Sequence, residues 1–121
     1  MEKPRILLAD DSAEMRAILC DMLTDAYEVT AVGTGKELYT LMSERRDLYV
    51  AVICDVVMPH WNGDEAVKMA QAFGSSLPVI FISGNIEVEL IEKSQKHIFL
   101  RKPFTRQELL DILAGLVAAG R

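Results

Sequence analysis

Arg5-Ile6-Leu7-Leu8-Ala9-Asp10-Asp11-Ser12 decides how the rest of the chain is read. Four consecutive apolar residues stop at two adjacent carboxylates, and a serine follows. A continuous apolar run, as opposed to an alternating one, marks a strand covered on both faces, the signature of a parallel sheet. Beyond the serine, Met15, Ile18, Leu19, Met22 and Leu23 recur at i, i+3, i+4, i+7 and i+8. That spacing predicts a helix from Ser12 to Asp25, with Ser12 as N-cap and Glu14 beside the positive helix end. The opening stretch is therefore a strand feeding a helix through an acidic turn.

The same unit repeats along the chain. Apolar runs at Tyr27 to Val32, Val50 to Cys54, Val79 to Ser83 and His97 to Leu100 predict four more strands. Leu38, Leu41 and Met42 place a second helix over Gly35 to Arg46. Ala66, Val67, Met69, Ala70 and Phe73 place a third from Gly63, and Leu109, Leu110, Ile112, Leu113, Leu116 and Val117 a fifth from Thr105. The fourth, over Glu87 to Gln95, has Val88, Leu90 and Ile91 among many charges, so a short, poorly packed helix and raised mobility from Gly84 to Lys96 are expected. Alternating strands and helices with right-handed crossovers make a three-layer, doubly wound α/β fold with a five-stranded parallel sheet. Ligand sites in such sheets lie beyond the carboxyl ends of the strands, where strand order reverses.

Composition narrows the function. The 121 residues, 50% hydrophobic and 26% charged, suffice for one buried core, so a single domain over residues 1–121 is expected. Eighteen acidic against 13 basic side chains give a net charge of -5, which argues against binding nucleic acid or an anionic membrane. No apolar run approaches the roughly 20 residues of a membrane helix, and Met1-Glu2-Lys3-Pro4 leads into no signal-peptide pattern. A cytoplasmic protein follows as the expectation, with Cys20 and Cys54 as reduced thiols.

The strand ends carry the chemistry: Asp10 and Asp11 after the first strand, Asp55 after the third, Ser83 closing the fourth and Lys102 just after the fifth. Converging carboxylates repel, at ~4 Å and an effective dielectric of ~20 by about 4 kcal/mol per pair, and so call for a cation or a proton. Oxygen ligands without His or Cys suit Mg2+, which keeps several waters and shares its shell with phosphate. A lysine and a hydroxyl alongside can bind the remaining phosphoryl oxygens.

At this point the sequence resembles the receiver domain of bacterial response regulators. The matching segments are Leu7-Leu8-Ala9-Asp10-Asp11-Ser12, Ile53 to Pro59 with Gly63 beyond, Pro78 to Gly84, and Phe99-Leu100-Arg101-Lys102-Pro103-Phe104. The resemblance implies a flavodoxin-like fold with strand order 2-1-3-4-5. It also implies that Asp55 takes a phosphoryl group from a phosphohistidine on a histidine kinase or histidine phosphotransfer protein. Asp10, Asp11, Asp55 and the backbone carbonyl of Val57 would hold Mg2+. Lys102 would pair with the phosphoryl oxygens, Ser83 would hydrogen-bond to one of them, and Phe99 would be the switch aromatic. Output to a downstream protein would pass through the face of the fourth helix, fifth strand and fifth helix. Such a domain catalyses its own phosphorylation and dephosphorylation without being a multiple-turnover enzyme on a small substrate. A carboxylate nucleophile is already ionised at neutral pH and needs no general base. Pro103 after Lys102 suits a cis peptide, which at X-Pro costs only about 0.5 to 1 kcal/mol.

Some positions depart from the family pattern. Serine stands at position 83 where threonine is commoner, and phenylalanine at 99 where tyrosine is frequent, so a switch there would act by shape and not through a phenol. The Ser83 to Lys102 segment is short and has Ser94-Gln95-Lys96-His97 in place of a small pair before the last strand. Trp61 and His60 lie in the loop after Asp55, the tryptophan as a lid or partner contact and the histidine outside a hard-oxygen site. Gly33-Thr34-Gly35-Lys36 mimics a phosphate loop but lacks its first glycine (Thr30) and its Ser/Thr (Glu37), leaving a turn into the second helix. An aspartyl phosphatase of the haloacid dehalogenase type would need an acid where Val57 stands. A pseudo-receiver that only binds partners is the alternative, and it has no chemical need for all of Asp10, Asp11, Asp55, Ser83 and Lys102.

Overall fold

The apolar runs pair with one another in the computed structural model, which describes residues 3–44, 48–55, 68, 77–83 and 98–119. The strands are β1 (Arg5–Ala9), β2 (Glu28–Val32), β3 (Ala51–Asp55), β4 (Val79–Ser83) and β5 (Ile98–Arg101). All pair in parallel, in the order β2-β1-β3-β4-β5. Helices α1 (Ala13–Leu23), α2 (Gly35–Glu44) and the C-terminal α3 (Arg106–Ala119) accompany them. The third and fourth predicted helices fall outside the described residues, apart from Lys68, which is helical.

Burial explains why the strands are apolar without alternation. Leu7, Ala9, Val52, Cys54, Val79 and Phe81 project to one face of the sheet and join Leu38 and Met42 of α2 in one core. Ile6, Leu8, Ile53, Ile80 and Ile82 project to the other and join Leu19 and Leu23 of α1 with Leu109 and Leu113 of α3. A helix layer on each face makes the three-layer, doubly wound fold. Each fully buried leucine or isoleucine contributes about 1.5–3 kcal/mol relative to an exposed one.

The helix starts are specified locally. Ser12 Oγ accepts from the Met15 N–H at 3.2 Å and so caps α1. Thr34 Oγ1 accepts from the Glu37 N–H and donates to Glu37 Oε1, both at 3.1 Å, which caps α2. Thr105 Oγ1 accepts from the Glu108 N–H while the Thr105 N–H donates to Glu108 Oε1, a reciprocal capping box for α3. Within the Gly33 to Lys36 segment, Gly33 and Thr34 accordingly make the turn, and Gly35 and Lys36 are the first residues of the capped helix.

Several expected boundaries shift. β3 and β5 start and end one residue later than their apolar runs, because Asp55 pairs with Ile82 and Arg101 with Ser83 as the ladders continue into polar residues. β2 starts at Glu28, and Tyr27 is buried just before it. α1 ends at Leu23 instead of Asp25: the N–H groups of Ala26 and Tyr27 both turn back to the Leu23 carbonyl. Ile18, assigned by its spacing to the buried stripe, is 42% exposed, because the sheet covers only the Leu19–Leu23 side of α1. Both cysteines are free thiols, Cys54 buried and Cys20 partly so.

Candidate functional site

Strand register assembles the site. β1 lies between β2 and β3, so chain connections diverge to opposite sides at the β1–β3 boundary, where a doubly wound sheet opens a crevice. Ala9 pairs with Cys54, which sets the next residues, Asp10 and Asp55, side by side at the carboxyl edge. Asp55 pairs with Ile82, and Ser83 with Arg101, so Ser83 ends β4 and Lys102 follows directly after β5 on the same edge. The backbone positions of Ser83 and Phe99 are thus fixed in β4 and β5; their side chains, and Val57, His60 and Trp61, lie outside the described residues.

One carboxylate oxygen from each of Asp10, Asp11 and Asp55 lies within 4.8 Å of the others. Asp10 is only 1% exposed, whereas Asp11 faces solvent. Asp10 Oδ1 accepts from the Ser12 N–H at 2.9 Å, and the Asp10 N–H donates to the Val32 carbonyl at 3.1 Å. Asp10 Oδ2 is buried without a hydrogen-bond partner. Lys102 Nζ lies 3.9 Å from it and 3.9 Å from Asp55 Oδ2. These are ion-pair separations, too long for hydrogen bonds. Burial pushes the Asp10 carboxyl above its ordinary range and Asp11 adds to that, against the opposing pull of the Ser12 N–H, Lys102 and Arg16.

This donor set fits a small divalent cation. All three side chains offer hard oxygens, and the orphaned, buried Asp10 Oδ2 is the atom most in need of a positive partner. Among the described residues, Lys102 and Arg16 bring two cationic side chains to three carboxylates, so the cluster remains short of positive charge. The Lys102–Pro103 peptide is cis. Beside the lysine, Met15, Ile18, Leu19 and Met22 of α1 face Pro103 and Phe104 across a largely apolar groove of about 410 Å³.

Known proteins resemble this chain along most of its length. The model of the response regulator receiver domain matches residues 6–114. This chain belongs to that family. The receiver is 31% identical to the response regulator receiver protein CpdR of Brucella abortus, over 95% of this chain and 98% of that protein. It is 32% identical to a CheY chemotaxis homologue of Campylobacter jejuni, over 96% and 94%. It is 33% identical to the sensory/regulatory protein RpfC of Xanthomonas campestris over 97% of this chain, which spans only 17% of RpfC. The receiver domain of the sensor histidine kinase PA1611 of Pseudomonas aeruginosa, with a magnesium ion coordinated in its active-site cleft, superposes with a TM-score of 0.87. Identity there is 26%, covering 96% of this chain and 98% of the other. Vibrio cholerae CheY4 gives a TM-score of 0.80 at 28% identity, over 94% and 98%. The receiver therefore has the flavodoxin-like fold of two-component signalling domains. Among its described residues no helix is long and apolar enough to cross a membrane.

Sequence reasoning brought Asp10, Asp11, Asp55 and Lys102 to one edge and passed over Arg16. Its Nη1 donates to the Asp10 carbonyl at 2.7 Å. The only signal was a cation one turn into the first helix, which by itself reads as a solvated charge.

Proposed function

We propose that the receiver is a phosphoacceptor that takes a phosphoryl group onto Asp55 from a phosphohistidine of a histidine kinase or histidine phosphotransfer protein. The observation that carries this reading is the lysine 3.9 Å from Asp55 within a cluster of three carboxylates. An Asp55 carboxylate oxygen attacks phosphorus in line, an O–P bond forms, the N–P bond breaks, and its electron pair stays on the departing imidazole nitrogen. Asp55 needs no base, because its carboxylate is the nucleophile. Lys102 meets the charge on the equatorial phosphoryl oxygens, and the Ser83 hydroxyl, ending the adjacent strand, donates to one of them. Asp10, Asp11 and Asp55 would hold Mg2+, with the Val57 carbonyl completing the protein's share; bound there, the ion neutralises charge on the transferred group.

The reading includes Phe99 as an apolar switch and an output surface made by β5, α3 and the predicted helix before β5, which a downstream protein would contact. Phosphorylation and dephosphorylation are then single events on Asp55, not turnover of a small substrate. The domain acts in the cytoplasm, where Cys20 and Cys54 remain thiols.

Intact mass after incubation with acetyl phosphate, with and without Mg2+, tests the reading against Asp55→Asn. One Mg2+-dependent phosphoryl adduct, absent from the variant, is expected. A folded protein that forms no adduct from acetyl phosphate or from any phosphohistidine donor would instead be a binding-only pseudo-receiver.

A further inference from the structure

Arg16 lies one turn into α1, and its guanidinium reaches back over the β1–α1 junction, where Nη1 donates to the Asp10 carbonyl oxygen at 2.7 Å. That carbonyl belongs to the peptide joining Asp10 to Asp11, so the bond fixes the plane from which both side chains depart. With the Asp10 N–H on Val32 and the Asp10 carboxylate on the Ser12 N–H, Arg16 supplies the third constraint on the acidic turn.

The guanidinium has a matching seat. Gly33 follows β2, and a Cβ added there would stand 2.9 Å from Arg16 Nη1 and 3.5 Å from Cζ. Its φ lies outside the left-handed region, so the glycine answers a demand for space and not for backbone freedom. The atom that would have to yield is the end of a flexible side chain. An alanine at 33 would therefore fold while pushing Arg16 off the Asp10 carbonyl.

We infer that Arg16, seated against Gly33, is a positioning residue for the Asp10–Asp11 pair, holding their shared peptide so that the two carboxylates face one cation. This rests on the metal reading above. Charge and positioning predict opposite signs. As a bare cation near the cluster, Arg16 would weaken Mg2+ binding, and its removal would tighten it. As the anchor of the turn, its removal loosens ligands that must be held in place.

The test is calorimetric titration of the full chain with Mg2+ for wild type, Arg16→Met, Arg16→Lys, Gly33→Ala and the Arg16→Met/Gly33→Ala double variant, each checked for folding by thermal melting. Arg16→Met and Gly33→Ala are each expected to weaken Mg2+ binding about 10-fold. The double variant should match the single ones, since both remove one contact. Arg16→Lys, which can still donate to the carbonyl, should recover part of the loss. Unchanged or tighter binding by folded Arg16→Met overturns the inference, as do losses that multiply in the double variant. If Arg16→Met does not fold, Gly33→Ala decides, and wild-type affinity in it is equally fatal. Wild type that binds no Mg2+ would overturn the metal reading itself, a result distinct from wild type and variants binding alike.

Discussion

Lys102 Nζ is as far from Asp10 Oδ2 as from Asp55 Oδ2, 3.9 Å in each case, so one ammonium is shared between two carboxylates and hydrogen-bonded to neither. On the proposed function, a lysine held this loosely would compete only weakly with a divalent ion and stay available for phosphoryl oxygens. Lys102→Ala should therefore move two measurements in opposite directions. Formation of the Asp55 adduct from acetyl phosphate, followed by intact mass, should slow on the order of 10²-fold with loss of one oxyanion partner. Mg2+ affinity by calorimetry should rise, because a competing cation is gone. A fall in both would mean that Lys102 shapes the site and does not act through its charge.

Asp10→Asn separates the cost of the cluster from its use. The amide oxygen can still accept from the Ser12 N–H, while the buried negative charge and its repulsion from Asp11 disappear. Without metal, urea unfolding at pH 7 should show a gain on the order of 1 kcal/mol. Mg2+ binding should fall by at least about 10-fold, since a charged ligand becomes neutral. A destabilised metal-free variant would show that the attraction between Asp10 and Lys102 outweighs burial.

The sheet and its acidic edge were legible because they rest on short-range rules. Leu7 and Leu8 must both be buried, which demands cover on two faces, and Ser12 and Thr105 sit where helix caps belong. Asp55 reads as lying just past its strand but forms its last rung, because the parallel ladder runs on until the backbone turns, regardless of side-chain polarity. Ile18 reads as core, yet helical periodicity records a face and not its width, and the sheet reaches only as far as Leu19 and Leu23. The pairing of Arg16 with Gly33 is invisible in one dimension. It depends on β2 ending beside the β1–α1 turn, a contact that only the register Ala9 with Val32 produces.

The capping box at the start of α3 provides a control outside the acidic cluster, three residues beyond Lys102. Thr105 and Glu108 exchange side-chain and backbone hydrogen bonds, and Arg106 Nε ties this helix start to the Met22 carbonyl at the end of α1 at 2.9 Å. Thr105→Ala should cost about 1 kcal/mol in urea unfolding, the usual scale for an N-cap. Mg2+ affinity should stay within twofold of wild type, about 0.4 kcal/mol. A larger loss would mean that the helix start and the site are one cooperative unit.

Burial gives Asp10 a characteristic pH signature. Its folded pKa lies above the ordinary 3.8, so between the two values the native state holds a proton that the unfolded chain has released. The metal-free stability that Asp10 contributes is accordingly complete below 3.8 and is lost as pH rises through the raised value. Other carboxylates impose their own slopes, so the quantity to measure is the difference between wild type and Asp10→Asn in urea unfolding from pH 3 to pH 8. The stability of wild type relative to the variant should fall with rising pH through that window and level off above it. Mg2+ needs the ionised form, so within the same window its binding to wild type should release a proton that the variant does not release, detectable by calorimetry in buffers of different ionisation enthalpy. A relative stability that rises with pH would show that Ser12, Lys102 and Arg16 together hold the Asp10 carboxylate below its ordinary range, and the buried charge would then be no driving force for taking up a cation.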